Sequence, residues 1–165
     1  MWTRRKWIQS AASAALTAGE SAASGPLVAR FDAAKDYPVD VYFEHQATRV
    51  VSSSLGAYRE AAAAPAARFG YRFRVRRGRP HLAVIQYPDD KRRYMCVMDG
   101  TSYDMSTGVF TGHAQPLSGR MLEIRQVFWP RSEDSSITFM TWSKGEPAAV
   151  ARVEIHELDG LPPLS

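Results

Sequence analysis

The chain has 165 residues, 45% hydrophobic and 23% charged, a balance ordinary for a globular protein that fits one domain with a sizeable core. The formal net charge is +4, and Arg4, Arg5 and Lys6 against Glu20 account for half of it, which leaves the body too nearly neutral for a nucleic-acid surface. Cys96 is the single cysteine, so an intrachain disulfide and a cysteine-based metal site are both excluded. It lies in the apolar run Tyr94-Met95-Cys96-Val97-Met98 and reads as a small buried hydrophobe.

In chain order, residues 1–25 come first, with a charged start, a moderately apolar stretch and a small-residue end, the pattern of a signal peptide. Thr3, Arg4, Arg5, Lys6, Trp7, Ile8 and Gln9 resemble a twin-arginine signal, with Trp7 and Gln9 as departures from its usual residues. The resemblance implies export of an already folded protein to the periplasm or the exterior. Ile8 and Leu16 are the large aliphatics of this stretch, far short of the ~20 apolar residues of a stable membrane span. Residues 26–37 read as a linker, 38–158 as the folded domain and 159–165 as a C-terminal tail.

The domain alternates with period two. Val39, Val41 and Phe43 open it, and Arg49–Ser53 continues the pattern. The Ala-rich stretch Tyr58–Ala67 predicts a turn or two of helix, interrupted by Pro65. Phe69, Tyr71, Phe73 and Val75 then alternate with Gly70, Arg72, Arg74 and Arg76, a strand with an aromatic inner face and a basic outer face. Gly78-Arg79-Pro80 ends it. His81–Tyr87 is apolar enough for a central strand and closes at Pro88-Asp89-Asp90. Tyr94–Met98, Arg120–Trp129, Ile137–Trp142 and Ala149–His156 follow as strands separated by Asp, Gly and Pro turns. About seven strands on short turns, with no room for crossover helices after residue 68, predict an all-β, antiparallel, two-sheet sandwich of jelly-roll type.

Tyr58–Leu158 resembles the β-sandwich accessory domains of large exported bacterial proteins, which often sit beside glycoside-hydrolase-like barrels. The residues carrying this are Phe69-Gly70-Tyr71-Arg72-Phe73-Arg74-Val75, Gly78-Arg79-Pro80-His81-Leu82, Tyr87-Pro88-Asp89-Asp90-Lys91-Arg92-Arg93 and Ala149-Val150-Ala151-Arg152-Val153-Glu154-Ile155. The resemblance implies a jelly-roll or galactose-binding-like sandwich and a sugar-binding role.

Candidate chemistry is sparse. Asp89, Asp90 and Asp99 are the candidate metal ligands, since calcium takes six to eight oxygens from loops. The EF-hand spacing is absent, and Asx-turn formation explains the same residues more simply. His45, His81, His113 and His156 show no metal-ligand spacing, and His156 falls on the polar parity of the last strand, where it is expected to be exposed. No nucleophile, base or carboxylate constellation stands out, so the domain is expected to be non-catalytic. Aromatic side chains offer flat apolar faces for sugars. Trp129, and Tyr103 with Arg93 and Asp104, are the candidate ligand-binding residues, while Trp142, Tyr87 and Tyr94 also lie near strand ends or turns. The stripe Arg72, Arg74, Arg76, Arg77 and Arg79 would suit an acidic ligand, or would keep an exposed edge strand from pairing. The expectation is an exported, non-catalytic module for carbohydrate, with polysaccharide or a neighbouring enzyme domain as partner, no nucleic acid, and no cofactor beyond calcium. The alternative is a structural or protein-interaction domain packed against an enzyme domain or an envelope partner.

Overall fold

The computed structural model describes residues 25–100, 107–142 and 144–159. The signal-like segment and most of the C-terminal tail lie outside the described residues, as do Tyr103 and Asp104. Twelve strands occur among the described residues: β1 (Leu27–Asp32), β2 (Tyr42–His45), β3 (Thr48–Ser53), β4 (Gly56–Ala61), β5 (Arg68–Arg74), β6 (His81–Pro88), β7 (Arg93–Asp99), β8 (Thr107–Thr111), β9 (Met121–Phe128), β10 (Asp134–Thr141), β11 (Ala149–Val150) and β12 (Arg152–Glu157). One sheet runs β1-β12-β6-β9 and the facing sheet β2-β5-β10-β7-β8, with a smaller sheet β11-β4-β3 alongside. Every strand pairing among the described residues is antiparallel. The architecture is the expected all-β sandwich. Among the described residues, no helix is long and apolar enough to cross a membrane.

Period-two patterning builds the core. On β5, Phe69, Tyr71 and Phe73 are buried while Arg72 and Arg74 are exposed. Phe31 stacks on Tyr71 with ring centroids 4.6 Å apart. Phe69 meets Phe139 at 5.5 Å, and Ile85, Val153 and Ile155 close the core from the opposite sheet. Gly70 has a packing reason: β2 places Phe43 opposite it, and a Cβ there would fall 2.6 Å from Phe43 Cζ and against the Ile137 carbonyl oxygen.

Four expectations are corrected. The supposed linker 26–37 contains β1, which pairs with β12 and buries Phe31. A single large buried side chain in that strand gave too little alternation to read. Tyr58–Ala67 holds no helix; β4 occupies its first part, because pairing with β3 and β11 and the burial of Tyr58, Arg59 and Glu60 override alanine's helix preference. The basic strand β5 is not an edge: β2 and β10 flank it. His156 is 8% exposed, since Gly25 and Glu154 close over its ring.

Candidate functional site

Register brings three distant aromatic residues into one row. Val109, Met95 and Phe139 point into the core, so Phe110, Tyr94 and Trp142 take the opposite, outer face of the five-stranded sheet. Tyr94 sits directly opposite Phe110 in the β7–β8 ladder. On the other side, Trp142 continues β10 one residue past the Thr141–Met95 pair, and its N–H donates to the Tyr94 carbonyl at 2.9 Å. Ring centroids are 4.2 Å apart for Tyr94–Phe110 and 6.1 Å for Tyr94–Trp142. With strands ~4.8 Å apart, the row is about 10 Å wide. Phe110 is 55% exposed, and its place in a row with two further aromatic side chains sets it apart from a singly exposed apolar residue.

A polar rim borders the row. His113, 6.1 Å from Tyr94 and 6.0 Å from Phe110, meets both edge-on. Its Nε2 lies 2.7 Å from Glu146 Oε2, while Arg92 Nε pairs with Glu146 Oε1 at 3.2 Å. Arg92 Nη2 also lies 3.3 Å from His113 Nδ1. Glu146 reaches this position because Gly145 turns the chain at φ 71°, a left-handed conformation that glycine adopts without strain. Hydrogen-bond donors and a carboxylate therefore stand beside one exposed and two half-buried aromatic rings, the combination that orients a hydroxyl-rich ligand.

Beneath the rim lies a buried ion network. Glu60, 2% exposed, accepts from Arg49 Nη2 at 2.8 Å, Lys91 Nζ at 2.5 Å and Arg93 Nη1 at 3.0 Å. Burial alone would raise the Glu60 carboxyl, but the hydrogen bonds from Lys91, Arg49 and Arg93 outweigh it and hold the group below the usual carboxylate range. Asp90 behaves the same way: burial raises it, and the Tyr58 hydroxyl at 2.6 Å and Arg93 Nη2 at 2.7 Å bring it down. Burial, then the bond to Asp90, pushes Tyr58 up to about 12. Arg49, Lys91, Glu60 and Pro147 also line a groove of about 490 Å³ walled by Ala47 and Ala61–Ala63.

The structure separates the residues singled out in the sequence. Arg93 is 1% exposed and spends its guanidinium on Glu60, Asp90 and the Pro88 and Pro147 carbonyls, so it braces the turn from inside and does not face a ligand. Trp129 follows β9 at the His81 end of β6, whereas Arg93 and Asp90 lie beyond its Pro88 end. Eight residues at ~3.3 Å each put the two ends more than about 20 Å apart. Asp99 closes β7 at the far end from Asp89 and Asp90, beside Gln126 at 3.1 Å. The three aspartates therefore do not converge. Asp89 accepts from the Ser118 N–H at 2.7 Å through one oxygen and keeps the other buried without a hydrogen bond. One such oxygen does not make the six to eight that calcium takes, and among the described residues no three His, Cys, Asp or Glu side chains are placed to hold a metal. The described residues bring no calcium ligand set together at Asp89, Asp90 and Asp99.

Comparison with known proteins follows the same lines. No protein-family model matches the chain, and no curated protein matches it in sequence. Among solved structures, a family 35 carbohydrate-binding module from Clostridium thermocellum superposes with a TM-score of 0.58 at 10% identity, covering 78% of this chain and 98% of that one. The chain shares the β-sandwich fold of that module. The C-terminal family 6 carbohydrate-binding module of a laminarinase from Zobellia galactanivorans gives 0.56 at 8% identity, over 79% of this chain and 99% of that one. The exo-β-1,3-galactanase of Phanerochaete chrysosporium gives 0.54 at 16% identity, with 81% of this chain matching 29% of that enzyme. At these identities the likeness is one of backbone, and function rests on the site.

Proposed function

We propose that this chain is a non-catalytic carbohydrate-binding module, and that it takes a glycan across Trp142, Tyr94 and Phe110. The observation that supports this reading best is the row itself: three aromatic side chains on adjacent strands, one of them more than half exposed, bordered by Arg92, His113 and Glu146. Sugar rings present C–H faces that stack on such rings, while the rim groups hydrogen-bond the hydroxyls. The sandwich fold, shared with carbohydrate-binding modules, supports the same reading as an analogy.

The test is a glycan array and an insoluble-polysaccharide pull-down with the full chain, with and without calcium. Specific retention, lost in Phe110→Ala and Tyr94→Ala, is expected, and calcium dependence is not. Alanine at Trp129, at the far end of the sandwich, and alanine at Tyr103 test the two other aromatic candidates in the same assay. Loss of retention there, with Phe110→Ala unaffected, would move the site. The twin-arginine-like start belongs to this proposal as the export address. Arg4→Lys with Arg5→Lys is expected to keep the chain in the cytoplasm, and export that survives the change would contradict it.

A second reading, an interaction domain packed on a neighbouring domain, is favoured by one feature. Leu27, His156, Leu82 and Val127 form a row across the four strands of the other sheet on its outer face. Leu27 is 45% and Val127 42% exposed, while Leu82 clusters with Val84 and Leu158. A folded chain that retains no glycan would transfer the proposal to this surface.

A further inference from the structure

We propose that the chain self-associates through β9, two copies pairing this strand antiparallel about Ile124. The two main sheets end in β1, β9, β2 and β8. Three of these edges are poor templates for a further strand. β1 carries a register shift between Leu27 and Ala29, β2 has four residues and β8 has five. β9 has eight residues, pairs with β6 in unbroken register and contains no proline. Among the described residues no strand pairs with its outer edge.

The sequence of β9 is complementary to its own reverse. Its outer-face residues are Met121, Glu123, Arg125 and Val127, because Ile124 packs on the core and side chains alternate. An antiparallel two-fold pairing centred on Ile124 sets Glu123 opposite Arg125 of the second copy, and Arg125 opposite its Glu123. Met121 then faces Val127 twice, apolar against apolar, and on the inner face Ile124 meets Ile124. Opposed charges and matched apolar pairs are the contacts that stabilise neighbouring strands. The register is also selected. Sliding the two-fold centre to 123 or 125 sets Glu123 on Glu123 or Arg125 on Arg125, and centres between residues turn core-facing side chains outward. In the single chain Glu123 and Arg125 pair with each other at 2.7 Å with side chains 37% and 38% exposed, so both charges sit on one face and are open to same-face neighbours of a strand added at the edge. Two copies joined this way would also carry two aromatic rows, which raises avidity for a repeating polymer.

Sedimentation of the full chain over a concentration series is the test. The wild-type chain is expected to show a concentration-dependent dimer. Arg125→Glu puts two carboxylates on that face and Glu123→Arg puts two guanidiniums there. Each is expected to weaken dimerisation ~10-fold or more, since symmetry applies the change at both pairs. The double variant E123R/R125E restores the complementarity and the dimer. An equimolar mixture of the two single variants is expected to form a heterodimer where neither associates alone. Glycan binding need not be measured, so failure here is distinct from failure of the binding proposal. As a readout that needs no variant, hydrogen exchange is expected to slow at β9 amides, and not at β8 amides, as concentration rises. A wild-type chain that stays monomeric throughout, single variants that dimerise as well as wild type, or a mixture that does not associate would each overturn the proposal.

Discussion

The two ends of the sandwich each bury a carboxylate, and they satisfy it differently. At the end that carries the aromatic row, Glu60 is met by one buried cation, Arg93, itself 1% exposed, and by Lys91 and Arg49, whose side chains are 41% and 72% exposed. At the opposite end, Glu157 is paired with Arg76 and Arg79, whose side chains are 67% and 39% exposed, with the buried His81 ring 3.9 Å away. The first carboxylate is tied to the interior through Arg93, which also holds the Pro88 and Pro147 carbonyls of the turns on which the rim residues stand. The second is tied down by flexible arms reaching in from solvent, which water and salt compete with. The lesson is that a buried cation lies under the candidate site, whereas both cations at the other end come from solvent.

The largest expected effect comes from removing the first carboxylate. Glu60→Ala leaves the buried Arg93 with Asp90 as its remaining carboxylate, beside the Pro88 and Pro147 carbonyls, and is expected to cost about 3–5 kcal/mol in urea denaturation. Glu157→Ala should cost clearly less, because Arg76 and Arg79 can return to water. A larger loss at Glu157 than at Glu60 would break the comparison. Next comes Gly70→Ala, which drives a methyl into the Phe43 ring and the Ile137 carbonyl and should cost roughly 1–3 kcal/mol.

Acid sharpens the same contrast. Burial lowers the His81 pKa, so the unfolded chain binds that proton first and stability begins to fall as pH drops below ~6.5. Glu60 and Asp90 are held low by their cationic and hydroxyl partners, and Glu157 chiefly by its hydrogen bond from Arg76. Their contribution is present above the unfolded carboxylate range near ~4 and is lost as pH falls through the depressed folded values. A denaturation series against pH is expected to show both windows, and His81→Phe to remove the upper one. The smallest stability effect is expected for Phe110→Ala. Over half of that ring already faces water, so the midpoint should move little while binding is lost.

Much of the fold was legible in the sequence because strong alternation survives translation into strands. Phe69, Tyr71 and Phe73 against Arg72 and Arg74 gave β5, and the apolar run from His81 gave β6 as a central strand. Elements with one anchor were not legible: Phe31 alone marks β1, and Val109 with Phe110 alone marks β8. β4 was hidden by its alanine context, and its burial of Arg59 and Glu60 depends on partners far along the chain. The candidate site was legible only in fragments. Tyr94 and Trp142 stood out as aromatics near strand ends, but their joining with Phe110 is a relation of register across three strands. Phe110, out where Val109 is in, was the one local signal available. Arg92, His113 and Glu146 gave none, since their meeting depends on how two loops close.

The most direct measurement of the central claim is retention of the full chain on a polysaccharide that binds it, compared with Phe110→Ala, Tyr94→Ala and Trp142→Ala, each with its denaturation midpoint recorded. The account predicts that all three variants stay folded and lose most of their retention. Folded variants that bind as tightly as the wild-type chain would contradict it.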